Sequence, residues 1–82
     1  MKKQPIPPVV DAATTEKVNQ LLDDVLEKQS LKNDAALSRI IAEKPPVISK
    51  LRHGHLPFGS RMILKFHETF GMPVSEIRER LA

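Results

Sequence analysis

The chain has no cysteine, tryptophan or tyrosine, and only three glycines among its 82 residues. Without cysteine there is no disulfide framework and no thiolate metal site. Three phenylalanines are the only aromatics, so a core must be assembled mainly from Leu, Ile and Val. No apolar run approaches the roughly 20 residues that span a bilayer. Lys2 and Lys3 are not followed by the apolar stretch of a secretory signal. The expectation is a cytoplasmic protein with no membrane partner. The length suits one small domain, with no second domain to sense a small molecule. Strand-length alternation and internal repeats are also missing.

What the chain does have is helical periodicity and an uneven spread of charge. The formal balance is +3. Residues 1–29 carry four Lys against five acids, whereas residues 30–82 carry nine Lys and Arg against five. The 22 residues 44–65 hold Lys44, Lys50, Arg52, Arg61 and Lys65 and no acid, with His53 and His55 in the same stretch. One sign of charge over such a window suggests a polyanion-binding face; a solvated surface is the bland alternative.

Pro5, Pro7 and Pro8 make the first ten residues an extended arm with polyproline II preference, and residues 1–13 are read as that arm. The arm's Ile6, Val9 and Val10 are expected to pack on the same or a second subunit; the alternatives are that Lys2 and Lys3 lie along DNA in the minor groove, or that the arm is plainly disordered. Residues 14–82 are read as the folded domain. From about Thr15, with Thr14 or Thr15 as cap, Val18, Leu21, Leu22, Val25 and Leu26 form one apolar stripe. Asn33 is a good N-cap for a second helix through Leu37 and Ile41, with Asp34 in its first turn. That helix cannot pass Pro45-Pro46. Each proline disfavours helical geometry in the residue before it, so Lys44 and Pro45 should be extended and Pro46 the first helical residue. A third helix runs through Ile48 and Leu51 to about Arg52, where Gly54 can end it left-handed. Ser60 can cap a fourth helix carrying Met62, Ile63, Phe66 and Phe70, with Gly71 as stop. Val74, Ile77 and Leu81 mark a fifth.

Two short helices of about eight residues, joined by a tight three-residue turn, thus occupy residues 34–54, with Leu37, Ile41, Ile48 and Leu51 as buried positions and Ala35, Ser38 and Ala42 as small contact residues. Such a pair cannot bury its own core and needs the flanking helices. This is the helix-turn-helix arrangement, whose second helix enters a DNA major groove.

Residues 30–81, about two-thirds of the chain, resemble the lambda-repressor-like, or xenobiotic-response-element type, helix-turn-helix domains. The stretch from Asn33 through Ala35, Leu37 and Ser38 to Ile41 is similar to the family's first motif helix. Pro45-Pro46-Val47-Ile48-Ser49-Lys50-Leu51-Arg52-His53-Gly54 is similar to its recognition helix and closing glycine. The resemblance implies an all-α, compact five-helix domain, here preceded by the extended arm. Three departures stand out. Ala42 replaces the frequent turn glycine, at a cost on the order of 1 kcal/mol if left-handed. Glu43 stands where the family usually buries an apolar residue. Pro45 and Pro46 occupy the start of the recognition helix, where polar readers are common, and proline has no N–H to offer.

Pro46, Val47, Ser49 and Lys50 remain as candidate base contacts. Val47 and the Pro46 ring can touch a thymine methyl, Lys50 can donate to guanine, and Ser49 can pair with several bases or a phosphate. Val47 can equally be a partly buried helix residue, and Lys50 a phosphate contact. In this fold the helix beginning at Asn33 and Asp34 aims its amino end at the phosphate backbone. Lys32, Asn33, Lys44, Arg52, His53 and Arg61 are therefore the candidate phosphate contacts.

His53-Gly54-His55 lacks a third ligand and is a poor metal site. Ser49 and Ser60 lack a spaced Asp/His set, and no glycine-rich phosphate loop is present. Neither an enzyme nor a cofactor is expected. The sequence reads as a DNA-binding transcriptional regulator of the repressor kind, a homodimer on a pseudo-palindromic stretch of double-stranded DNA. With four to six phosphates contacted, log K should fall with log salt at a slope of roughly −4 to −5 per monomer. The rival class is a protein-interaction module with a protein partner, such as the antitoxin of a toxin–antitoxin pair.

Overall fold

A computed structural model describes residues 8–82. It is all-helical: α1 (Ala12–Lys28), α2 (Asp34–Ile40), α3 (Pro45–Arg52), α4 (Ser60–Phe70) and α5 (Val74–Leu81), with no strand among the described residues. α1 packs on α3 and α5, α2 packs on α3, and α4 packs on α5.

Val18, Leu21, Leu22 and Val25 of α1 are buried, as their spacing requires. They meet Leu37, Ile41, Ile48 and Leu51 from the α2–α3 pair, Met62, Ile63 and Phe66 from α4, and Ile77 from α5. Phe66 is the largest fully buried side chain, with Phe58 and Phe70 edge-on to it at ring-centroid distances of 5.1 and 5.5 Å. Such edge-to-face pairs add to the area they bury. Arg80 pairs with Asp24, and Lys17 donates to the Ala82 carbonyl; both contacts fasten the end of the chain to α1.

Several boundaries differ from the sequence-based expectation. α1 begins at Ala12, not near Thr15, because the Asp11 carboxylate accepts from the Thr14 amide at 2.7 Å and takes the capping role. Hydrogen bonding from Thr14, its side chain first and its amide second, holds the Asp11 carboxyl below its ordinary pKa. Pro45 is itself helical. Only Lys44, at φ −74° and ψ 143°, is extended, so both prolines sit in the first turn, where a missing N–H matters least. Gly59 holds the cap position of α4, and Ser60 is its first helical residue. The α2–α3 connection is four residues, 41–44. Of the three small residues assigned to the helix contact, only Ser38 is buried, its hydroxyl donating to the Asp34 carbonyl; Ala35 and Ala42 are exposed.

Asn33 caps α2 as expected, accepting from the Ala36 amide at 2.9 Å. Gly71 closes α4 at φ 70° and Gly54 follows α3 at φ 73°. Ala42 is left-handed at φ 55°, so the turn carries the strain expected of a side chain there. At Gly54 the constraint is double. A Cβ would lie 2.7 Å from Thr15 Oγ1 and 3.2 Å from the Val10 carbonyl oxygen. The chain before α1 lies against this glycine, with the amides of Val9 and Val10 both donating to the Gly54 carbonyl, at 2.8 and 3.0 Å. Val10 is half-buried while Val9 is 70% exposed, so this segment is seated mainly through its backbone. Lys2, Lys3, Pro5, Ile6 and Pro7 lie outside the described residues.

Candidate nucleic-acid interface

The outward side of α3 carries Pro46, Ser49, Lys50 and, just past its end, His53, all exposed. Their spacing of three, four and seven residues places them on one helical face. The opposite side buries Ile48 and Leu51. Val47 lies between the two: it is half-buried and packs against the core, as the second of its two sequence readings had it, so less of it is available to a base. With Pro45 and Pro46 lacking an N–H, and the Val47 amide donating to the Lys44 carbonyl at 2.9 Å, the first three helical residues offer a ligand no free backbone amide. Recognition from this helix has to come from side chains.

The five cations of the acid-free window fare very differently in three dimensions. Lys44 and Lys50 are exposed and have no carboxylate within ion-pair distance among the described residues. The other three are met by acids from outside the window. Arg52, expected on phosphate, is turned inward with its side chain only 17% exposed. Its Nε and Nη2 donate to the two oxygens of Asp34 at 3.0 and 2.9 Å. Its Nη1 donates to Asp23 at 2.7 Å and to Asn19 Oδ1 at 3.0 Å. Burial disfavours the charged guanidinium, yet the two carboxylates more than offset this and hold it more firmly protonated than an ordinary arginine.

Arg61 and Lys65 converge on Glu43, whose side chain is only 6% exposed. Glu43 Oε2 lies 2.7 Å from Lys65 Nζ and 2.9 Å from Arg61 Nη2. The Lys65 contact chiefly holds the Glu43 carboxyl below the usual carboxylate range, against the opposing effect of burial. Lys65 also donates to the carbonyls of Ile41 and Ala42, both at 3.2 Å. A carboxylate is thus buried just after the left-handed Ala42, and α4 supplies its counter-charges. Arg61 itself remains 74% exposed, but its charge is partly spent on Glu43.

The remaining phosphate candidates are mixed. Lys32 and Asn33 are exposed ahead of α2; the Asn33 carboxamide oxygen caps the helix, and its Nδ2 is the end that can donate to a phosphate. The negative charge favoured at the start of α2 is already supplied by Asp34, which Arg52 binds. His53 is exposed and donates from Nδ1 to the Ser49 carbonyl at 2.8 Å. Among the described residues no three His, Asp or Glu side chains gather as a metal site would need. No described helix is long and apolar enough to cross a membrane.

Sequence reasoning missed Asn19 and Asp23, and it counted Lys65 only among the basic residues of the window, not as a partner of Glu43. Asn19 stands between stripe positions Val18 and Leu21, where any polar residue fits, so the sequence carried no signal that it would be half-buried beside Arg52. Glu43 was noticed as a departure, but its partners lie on α4. The chain matches no known family model, no curated protein and no solved structure.

Proposed function

We propose that this chain is a sequence-specific double-stranded-DNA-binding transcriptional regulator of the lambda-repressor-like helix-turn-helix kind, a cytoplasmic repressor that binds a pseudo-palindromic operator as a homodimer. The observation that carries this reading is the α2–α3 pair. It buries Leu37, Ile41, Ile48 and Leu51 and turns outward one face of α3 whose lysine has no internal partner. In this reading Lys50 donates to guanine or phosphate, Ser49 pairs with a base edge or phosphate, and the Pro46 ring lies against a thymine methyl. Lys32 and Lys44 neutralise phosphates on either side. One helix of this length covers only a few base pairs, which is the reason for a dimer.

The pairing of Arg52, Arg61 and Lys65 with acids lowers the salt dependence expected from sequence. Two phosphate-bound lysines, or three where Lys50 also takes a phosphate, give a slope of log K against log salt of about −2 to −3 per monomer, not −4 to −5. An anisotropy titration on duplex DNA from upstream of the protein's own gene, repeated across salt concentrations, measures this. A slope near zero overturns the DNA reading.

A second reading, a protein-interaction module such as an antitoxin, is favoured by two observations. Pro45 and Pro46 remove polar readers from α3, and Ile40 and Leu64 are 48% and 52% exposed, apolar surface beyond the needs of the core. Salt-independent, sequence-blind behaviour toward DNA favours this second reading.

A further inference from the structure

We propose that Asn19 and Arg52 form a positioning clamp that sets the angle at which α3 is presented to DNA, and that Arg52 acts through this clamp and not on phosphate; the inference rests on the DNA reading above. The contacts run both ways. Arg52 Nη1 donates to Asn19 Oδ1 at 3.0 Å, and Asn19 Nδ2 donates back to the Arg52 carbonyl at 2.9 Å. The second bond satisfies a carbonyl at the open end of α3, where no intrahelical partner exists. Asn19 Nδ2 also donates to the Thr15 carbonyl at 3.0 Å, so the amide is oriented by α1 itself. The forked pair from Arg52 to Asp34 joins the end of α3 to the first residue of α2. One guanidinium therefore ties α1, α2 and α3 together at a single point.

Charge argues against a phosphate role at this point. Arg52 with Asp23 and Asp34 sums to −1, so an approaching phosphate meets net repulsion. Geometry gives the clamp its leverage. Pro46 lies six residues from Arg52, about 9 Å along the helix at 1.5 Å per residue. A tilt of roughly 10° at the Arg52 end moves Pro46 by about 1.5 Å, well beyond the few tenths of an ångström that a base-edge hydrogen bond tolerates. Loss of the clamp should thus erase sequence discrimination while leaving the phosphate-bound lysines to hold any duplex.

The test uses the full chain and two duplexes: the consensus that the wild-type protein enriches from random DNA, and a scrambled duplex of the same composition. Arg52→Lys keeps the charge but not the fork, and Asn19→Ala removes the other half of the clamp. Circular dichroism at low temperature confirms that each variant is folded under the binding conditions. The expected result is a loss of about tenfold or more in the ratio of consensus to scrambled affinity for both variants. The salt slope on scrambled DNA should stay within about 0.3 of wild type, whereas Lys44→Ala lowers it by about 0.9. Full discrimination by Arg52→Lys, together with a slope lowered by about 0.9 in Arg52→Met, overturns the clamp and restores Arg52 to phosphate. If the wild-type protein enriches no consensus and binds no duplex, the DNA reading itself falls and the clamp's role with it.

Discussion

At its amino end α3 begins with Lys44, Pro45 and Pro46, all exposed, with no side-chain cap and no ion pair among the described residues. At its carboxyl end Arg52 is bound by Asn19, Asp23 and Asp34, and the Gly54 carbonyl accepts from Val9 and Val10. The two ends are eight residues apart in one helix, yet one is open and the other is fastened on three sides. A helix that reads a ligand with side chains needs both: a rigid anchor to fix its orientation, and a face left free of internal bonds. The same five-cation window contributes to both ends, and only its partners distinguish them.

The contrast can be broken hardest at Gly54. Gly54→Ala combines a positive φ with a Cβ 2.7 Å from Thr15 Oγ1. We expect a loss of about 2–3 kcal/mol in urea denaturation, the sum of the left-handed penalty and the displaced contact. Gly59→Ala is the control. No atom beyond the adjoining residues lies within 4 Å of the added Cβ, so only the poorer capping by Ala counts, and the loss should stay below about 1 kcal/mol.

Next comes Arg52→Met, which leaves Asp34, Asp23 and Asn19 without their shared donor. Asp23 and Asp34 are 66% and 39% exposed and can turn to water, which limits the loss to about 1–2 kcal/mol by the same denaturation measurement. No change would mean that the carboxyl end of α3 is held by its backbone contacts, at Gly54 and from Asn19 Nδ2 to the residue-52 carbonyl, without the guanidinium.

Glu43 gives the domain a pH dependence. Its folded pKa is depressed, so as pH falls the unfolded chain takes up the proton first. The stabilisation is present above the ordinary carboxylate range and is lost as pH falls through the depressed folded value; Asp11 at the α1 cap acts in the same direction. Glu43→Gln should cost about 1 kcal/mol at pH 7, since Arg61 is largely exposed, and should flatten the acid limb of a plot of thermal midpoint against pH. An acid limb identical to wild type would remove Glu43 as its source.

Pro46→Gln tests the open end and should be the mildest change to the fold. Pro46 is exposed in the first turn, so stability should move by less than about 0.5 kcal/mol. Gln adds a side chain able to pair with adenine, so selection from random duplexes should return an altered consensus. The same consensus for both proteins would take Pro46 off the base-facing side.

Most of the helical architecture was legible in the chain. The stripe from Val18 to Val25, the Asn33 cap, the proline stop before α3, and the glycines at 54 and 71 all act over three or four residues, the range in which helical spacing and capping are encoded. Even the misplaced boundaries were local choices between neighbours, Asp11 against Thr14 and Gly59 against Ser60, each settled by one hydrogen bond or its absence. The buried set of the α2–α3 pair was equally readable, because Leu37, Ile41, Ile48 and Leu51 have no polar alternative.

Tertiary structure alone decided which charges face outward. Arg52 meets Asp34, Asp23 and Asn19 from 18, 29 and 33 residues away in sequence, and Lys65 crosses to the Ala42 carbonyl from 23 residues away. A window without acids is a property of the chain, but electrostatic neutralisation depends on distance in space. Apolar periodicity determined that α1 packs against the α2–α3 pair and so, indirectly, that Asn19 and Asp23 would come to rest beside Arg52. Nothing in the order of residues 44–65 could show that Lys44 and Lys50 would be left facing solvent while the other three cations were paired, because the carboxylates that separate them are carried by other parts of the chain.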